Sequence, residues 1–466
     1  MERITETTHP SIIPPLDPDF TPAVLANRAF QRQAAGCGVP LVLGIERENG
    51  NISRFETLVL PEDHPQAENN YYYAERLLKF LLWQRGGYRV YVGGPRSIGA
   101  HLRSSYAPSG ARQFDAHFMG PLVHETPFEV IPCAVEEVPA EMETGAALGR
   151  HLDGCRIGFD LGASDRKVSA VVDGQVVYSE EVIWEPRKHS DLEYHYNEIM
   201  TALRTAASKM PRVDAVGGSS AGVFINSRPV VASLFRGIPA DQMPAVKNLF
   251  LRIREEMNVP LVVINDGDVT ALAGSMALED NGVLGIAMGS SQAAGYVDMQ
   301  GNIRGWLNEL AFAPVDYSPQ AAVDEWSGDI GCGSQYFSQQ CVFRLAPRAG
   351  IQLPTDVTDA EKLAFVQERL AAGHNGACQI WQSMGVYLGY TLAHYANFYA
   401  MKHVLILGRC TSGLGGQMIL DEANRVLQAD FPELLEKIHV QLPDERSRRV
   451  GQSIAAASLP VRITNS

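Results

Sequence analysis

The residue types best suited to chemistry sit in two glycine-broken hairpin patterns. Residues 155–177, CRIGFDLGASDRKVSAVVDGQVV, read as an apolar strand, a tight polar turn and a second strand that alternates until Asp173-Gly174 turns the chain again. Asp160 ends the first strand, Gly162 lets backbone approach a ligand closely, and Ser164 and Lys167 add a hydroxyl and a positive charge nearby. Such a turn can hold the terminal phosphates of a nucleotide and, through Asp160 and a water, a magnesium ion. An ordinary hairpin is the competing reading. Residues 283–297, VLGIAMGSSQAAGYV, form a second pattern of the same kind, broken at Gly289-Ser290-Ser291. Two such hairpins suggest two related halves serving one nucleotide.

Between them lies Val263-Ile264-Asn265-Asp266-Gly267-Asp268. Asp266 follows an apolar strand at 261–264, so it should emerge at the strand's carboxyl end, where open α/β sheets put their ligands. The alternative is that Asn265-Asp266 merely caps a helix over 269–277.

The order of these segments resembles the ROK group of repressors and sugar kinases, within the sugar-kinase and actin-like ATPase superfamily. The resemblance spans residues 155–466: DLGASDRK (160–167) is similar to that family's first phosphate motif, Gly289-Ser290-Ser291 to its second, residues 263–268 to its E-N-D-A-N segment, and LILGRCTSGLGG (405–416) falls where its glycine-rich adenosine motif lies. It implies a two-lobed actin-like ATPase (ribonuclease H-like) fold of the α/β class, with ATP and Mg2+ bound at Asp160, Gly162, Ser164, Lys167, Gly289, Ser290, Ser291, Gly408 and Gly413. It also implies that Asp266 is the catalytic base of a phosphoryl transfer, a reaction that needs an in-line hydroxyl, magnesium and a carboxylate to take the proton. Asn265, Glu309, Ser233 and Ser334 take the substrate-binding positions.

Several of those positions depart from the family pattern. Phe312 stands where a sugar-contacting histidine is usual, Ser334 where a glutamate is, and Ser233 where an asparagine is. In residues 327–338, SGDIGCGSQYFS, which parallel the family's zinc and sugar segment, Cys332 remains without its partner cysteines. One cysteine cannot make a tetrahedral sulfur-rich site, so no zinc is expected at this locus. The implied activity is therefore an ATP-dependent kinase for a sugar or polyol other than plain glucose. A non-catalytic ligand sensor acting through a protein partner is the alternative, and a DNA-binding repressor the third reading.

The elements that must position these residues are legible in outline. Residues 1–22 are proline-rich and read as an extended arm, and 23–150 as an additional N-terminal α+β domain. The first kinase-like lobe covers 151–270 and the second 271–466. Within the N-terminal domain, residues 40–61 form a strand–turn–strand pattern around Asn49-Gly50, 74–83 have helical spacing, and 88–92 read as a strand. Residues 141–154 look like a short helix with a glycine stop, and 376–400 like a long helix whose aromatics serve the core, leading into a strand at 404–407.

Composition narrows the classes. The chain has 466 residues, 45% hydrophobic and 20% charged, which is globular rather than disordered. Its 39 lysines and arginines against 53 acids give a net charge of -14, the wrong field for general phosphate-backbone binding, so nucleic acid is not an expected partner. No apolar run reaches membrane-spanning length, and the acids and prolines of the first twenty residues do not suit a secretory leader, so a cytoplasmic protein is expected. The seven cysteines, an odd number without a CxxC pair, suit free thiols in a reducing compartment. A homodimer is the default oligomeric state.

Overall fold

Asn49 and Gly50 both take positive φ, 58° and 73°, the backbone that a tight hairpin turn demands and that Asn-Gly supplies with little strain. They join β1 (Val39–Glu46) to β2 (Ile52–Val59), paired antiparallel with Val42 opposite Glu56. On the other side of β1 lies β3 (Arg89–Gly93), and β4 (Glu129–Cys133) runs parallel to it, giving the order β2-β1-β3-β4. The helix Asn69–Arg85 begins five residues earlier than its apolar spacing predicts. Asn70 accounts for the extra turn, because its buried carboxamide bonds both backbone groups of Leu60, at 2.9 and 2.8 Å.

The structure is a computed structural model that describes residues 9–143, 148–162, 164–443 and 445–461. Contacts divide the chain into two compact units. The first comprises Met1–Thr144, Ile286–Ala294 and Trp306–Leu442; the second comprises Gly145–Gly285, Gly295–Gly305 and Pro443–Ser466. Of the short helix expected over 141–154, residues 144–147 lie outside the described residues, and the remainder is not helical. The positive φ of Gly149, Arg150 and Gly154 explains why, since none of them continues a right-handed helix.

The second unit is built on a five-stranded sheet. Its strands are β5 (Cys155–Leu161), β6 (Asp165–Val172), β7 (Gln175–Ile183), β8 (Ala215–Ser220) and, after a small hairpin of β9 (Val223–Ile225) and β10 (Arg228–Val231), β11 (Leu261–Asn265). The order is β11-β8-β5-β6-β7; β5, β8 and β11 run parallel, while β6 and β7 fold back antiparallel. On one face Ile157, Phe159, Val216 and Val263 form a core with Ile199, Leu203, Phe250 and Ile253 from the helices Leu192–Ala207 and Leu249–Met257. The C-terminal helix Glu445–Ala457 lies against glycines of β5 and β8.

A third sheet has the order β13-β12-β14-β15, from β12 (Val283–Met288), β13 (Gln292–Val297), β14 (His403–Leu407) and β15 (His439–Gln441). In the first unit the helices Asn375–Tyr395 and Leu414–Asp430 pack closely, since a Cβ at Gly389 would lie 2.5 Å from the Val426 side chain. The aromatics of the long helix are buried, as its spacing predicts: Trp381, Tyr387, Tyr390 and Tyr395 are all core residues. Residues 9–22 carry no helix or strand beyond a single bridge from Pro22 to Asp316. They are pinned by Asp17, which accepts hydrogen bonds from Arg344 and Arg348 (both 2.8 Å) and from the Tyr387 hydroxyl (2.7 Å). Burial alone would raise the Asp17 pKa; the Arg344 charge and these donors outweigh it and hold the carboxyl below its usual range.

His394 is buried in this unit among Phe80, Tyr395 and Phe398, and neither of its ring nitrogens has a partner. Burial lowers its pKa to about 3, so the folded protein keeps it neutral. The unfolded chain takes up that proton below about pH 6.5 and the folded chain does not, so this residue costs about 1.4 kcal/mol of stability per pH unit as pH falls from there toward pH 3. In denaturant titrations, His394→Leu should therefore reduce the loss of stability between pH 7 and pH 5 by about 2 kcal/mol; an equal loss in both proteins would remove this account of His394.

Candidate functional site

Because β5, β8 and β11 are parallel, their carboxyl ends line one edge of the sheet, and the sequence puts polar residues at each. Asp160 is in register with Ser219, and Ser219 with Ile264, one residue before Asn265. The Ser219 hydroxyl donates to Asp160 at 2.7 Å. Asn265 caps the helix Asp266–Leu278: its side-chain oxygen accepts from Gly267 N at 2.7 Å, and its amide nitrogen donates to the Gly222 carbonyl at 2.7 Å. Both readings of this segment are therefore present together, the cap on Asn265 and a carboxylate at the strand's carboxyl end on Asp266. The start of that helix is also clamped by β13, where a Cβ at Gly295 would lie 2.1 Å from the Gly267 backbone and Asp268 accepts from Tyr296 N at 3.1 Å.

Electrostatics single out the same pair. The protein packed around Asp266 disfavours its charged form, the nearby charge of Asp160 adds to that, and its pKa rises to about 6 although part of the side chain reaches solvent. Asp160 is raised as well, by burial, against the Ser219 hydrogen bond and the Lys167 charge.

The turn between β5 and β6 closes with Gly162 N donating to the Asp165 carbonyl at 2.9 Å. Ser164, which is exposed, donates to the Asp165 carboxylate (3.0 Å), and Lys167, opposite Asp160 in the ladder, pairs with it (3.0 Å). Ser233 Oγ accepts from Arg187 at 3.0 Å. The second unit thus brings Asp160, Asn265 and Asp266 to one sheet edge, with Gly162, Ser164 and Lys167 on the adjoining turn.

The first unit assembles a second group. Gly289-Ser290-Ser291 forms the β12–β13 turn, with both serines exposed and open space around Gly289. Gly408 (φ 101°) lies against it, since a Cβ there would come within 2.5 Å of the Met288 carbonyl, and Gly413 (φ 62°) precedes the helix Leu414–Asp430. The two glycine-rich segments far apart in sequence are therefore neighbours.

Glu309 and Ser334 lie on two loops joined by the Pro314–Cys332 bridge, and the buried Ser334 hydroxyl donates to Asp324 at 3.0 Å. Phe312 packs on Trp83, with ring centroids 4.3 Å apart, and belongs to a cluster with Phe114, Phe118 and Trp326. Burial pushes the Cys332 thiol up to about 12. Beside it Asp329 accepts from Arg76 (2.6 and 3.1 Å) and pairs with Lys79 (2.9 Å) and Arg112 (2.7 Å).

Sequence reasoning missed Ser219 and Ser220, although Gly217-Gly218-Ser219-Ser220 at the end of an apolar strand carries the signal. Ser220 is buried with its hydroxyl unpartnered. It also missed the Asp329 ion cluster, whose members are too far apart in sequence to signal one another. Among the described residues no group of three or more His, Cys, Asp and Glu is placed to hold a metal ion, and no helix is long and apolar enough to cross a membrane.

With this geometry in hand, solved structures decide the architecture. The chain is similar to a ROK hexokinase from Thermus thermophilus (17% identity, TM-score 0.51, covering 65% of this chain and 97% of that one). It is also similar to a ROK family transcriptional regulator described as a homologue of the E. coli MLC protein (17% identity, TM-score 0.50, 66% and 78% covered). The fold is that of the ROK sugar kinases. No family model matches the chain, and no curated protein matches it. The actin-like ATPase fold implied by the ordered motifs is thus found, and each match leaves about a third of the chain uncovered.

The coupling of the two carboxylates can be read directly. Asp160→Asn removes the neighbouring negative charge, so the Asp266 pKa should fall from about 6 toward the ordinary carboxyl range in a carbon-13 NMR titration of side-chain carboxyls. An unchanged value would mean that burial alone raises it.

Proposed function

We propose that the protein is an ATP-dependent phosphotransferase that acts on a hydroxyl of a small sugar or polyol, with Asp266 as general base. The observation that carries this reading is Asp266 beside Asp160 at the carboxyl edge of β5, β8 and β11, with a pKa of about 6. A base is most effective when its pKa lies near the working pH, and Asp266 is ionised at neutrality yet more basic than an exposed aspartate. Its position is fixed by the Asn265 cap and the Gly295 contact. Asp266 would accept the acceptor's hydroxyl proton on a carboxylate oxygen as the hydroxyl attacks the terminal phosphorus.

The residues present fit magnesium and nucleotide phosphates. Magnesium is held by one or two carboxylates plus phosphate oxygens and waters rather than by an all-protein cage, and Asp160 is an oxygen donor at this edge with Asp266 close by. A bound magnesium ion supplies neutralisation of phosphate charge. Asp160 would hold it through water, and in the same unit the exposed Ser164 hydroxyl suits a phosphate oxygen.

At the substrate positions that the resemblance implies within the first unit, Phe312 is committed to Trp83 and offers no hydrogen bond, while the Ser334 hydroxyl is directed at Asp324. A site that lacks partners for specific hydroxyls does not select plain glucose. The same commitment of Phe312, with the likeness to a ROK regulator, favours a ligand sensor as the second reading.

ADP release with magnesium-ATP across hexoses, amino sugars, inositols and other polyols tests the proposal. Acceptor-dependent turnover should fall at least ~100-fold in Asp266→Ala. In the wild type, kcat/KM should rise with pH through about 6, as the free enzyme's base loses its proton, and level off above it. Sugar binding without turnover on any acceptor would favour the sensor reading.

A further inference from the structure

The segment after β7 carries an arginine whose place in the second unit is tightly determined. Trp184 is tied to the β5–β6 turn twice: its indole N–H donates to the Gly162 carbonyl at 2.9 Å and its backbone N to the Ser164 carbonyl at 3.1 Å. Three residues on, Arg187 donates through Nη2 to Ser233 Oγ at 3.0 Å. The short turns that carry the two residues, Pro186–Lys188 and Ser233–Phe235, are drawn together by buried His195, whose Nε2 lies 3.0 and 3.3 Å from the Pro186 and Leu234 carbonyl oxygens. Gly237 allows the close approach, since a Cβ there would sit 2.8 Å from the Arg187 carbonyl and 2.7 Å from that of His189. Ala232, next to Ser233, packs on Gly222, where a Cβ would come within 2.8 Å of its Cα. Gly222 in turn accepts the Asn265 amide beside Asp266. A chain of contacts therefore runs from the phosphate turn through Arg187 and Ser233 to the residue that precedes Asp266.

Charge adds a second observation. Of the exposed cations of this unit, Lys188, Arg252 and Arg204 pair with Glu185, Glu193 and Glu256, while Lys209 and Arg254 pair with no carboxylate among the described residues. Arg187 instead meets a neutral hydroxyl, and among the described residues no carboxylate pairs with it or with Arg236 on the adjoining turn. A guanidinium anchored by one N–H keeps its remaining donors in a planar fork suited to a carboxylate or phosphate group. Such a ligand near Asp160 and Asp266 needs a compensating cation, and Arg187 supplies one.

We infer that Arg187, anchored by Ser233, recognises an anionic group on the substrate, which makes the ligand of this site a sugar acid or sugar phosphate rather than a neutral polyol. The inference refines the phosphotransfer reading by naming the class of its acceptor. Calorimetric titration of the full-length protein with glucuronate, gluconate and glucose 6-phosphate, against glucose and inositol, tests it in the wild type, Arg187→Ala and Arg187→Lys, with thermal melts to establish folding. At least one acid should bind the wild type, Arg187→Ala should weaken that binding about 10- to 100-fold, as expected for loss of a charge-assisted hydrogen bond, and Arg187→Lys should recover part of it. The glucuronate and glucose 6-phosphate arms separate carboxylate from phosphate recognition. If Arg187→Ala fails to fold, salt titration of the wild type serves: acid binding should weaken with ionic strength, and binding that is insensitive to salt refutes the proposal. Failure of every acid to bind, equal binding by Arg187→Ala, or a loss confined to magnesium-ATP affinity each overturns it. Arginine-dependent acid binding without ADP release would remove the phosphotransfer reading and leave the ligand assignment intact.

Discussion

A carboxylate at a strand end is only as fixed as the strand, and in the second unit the strands are fixed by backbone contact. The C-terminal helix lies so close to β5 and β8 that a Cβ at Gly158 would sit 1.9 Å from the Ser453 carbonyl and one at Gly217 1.7 Å from that of Ala456. Any side chain at either position would force the helix back by about 1 Å or more. That helix also reaches the site: Gln452 donates to the Thr270 hydroxyl at 2.6 Å, and Thr270 donates to the Asp266 carbonyl at 2.8 Å. The two glycines thus set the level at which Asp160 and Asp266 stand.

The first unit depends on charge instead. Arg76, Lys79 and Arg112 converge on Asp329, with Asp115 and Glu75 completing the balance through Lys79 (3.1 Å) and Arg112 (2.8 Å). Buried ions are tolerable only when paired, and removing one partner from such a group leaves an uncompensated charge that costs about 3–5 kcal/mol. Burial by itself would raise Asp329; the three cations prevail and keep it well below the carboxylate range. The stretch that carries Cys332 and Ser334 is held in this way to the helix Asn69–Arg85. The same helix supplies Trp83 to cover Phe312.

What could be read from the sequence was local or ordered. The Asn49-Gly50 turn, the strand before Asp266 and the two glycine-broken hairpins each declare themselves within a dozen residues, and the sequence of motifs implied the fold. The helix cap was legible as the competing reading of Asn265-Asp266, because both residue types favour helix starts. Ser219 escaped notice because its function comes from register across the sheet, which places it beside Asp160. Asp329 and its cations are drawn from segments about 250 residues apart, and nothing in the local pattern of Arg76 or Lys79 distinguishes them from ordinary solvated charges. The aromatic cover on Phe312 was hidden for the same reason: a hydrophobic substitution is visible in sequence, its partner is not.

The anchoring of Asp17 bears on how the chain is made. Its partners Arg344 and Tyr387 lie 327 and 370 residues downstream, so Asp17 leaves the ribosome long before either of them is made. At about 5–20 residues per second, that interval is roughly 20 to 75 seconds. During it Phe20 and Val24, both core residues of the finished protein, must wait exposed or be sheltered by other proteins. Long-range closure of this kind also slows folding, because the entropy of closing so long a loop opposes the contact before the contact is made.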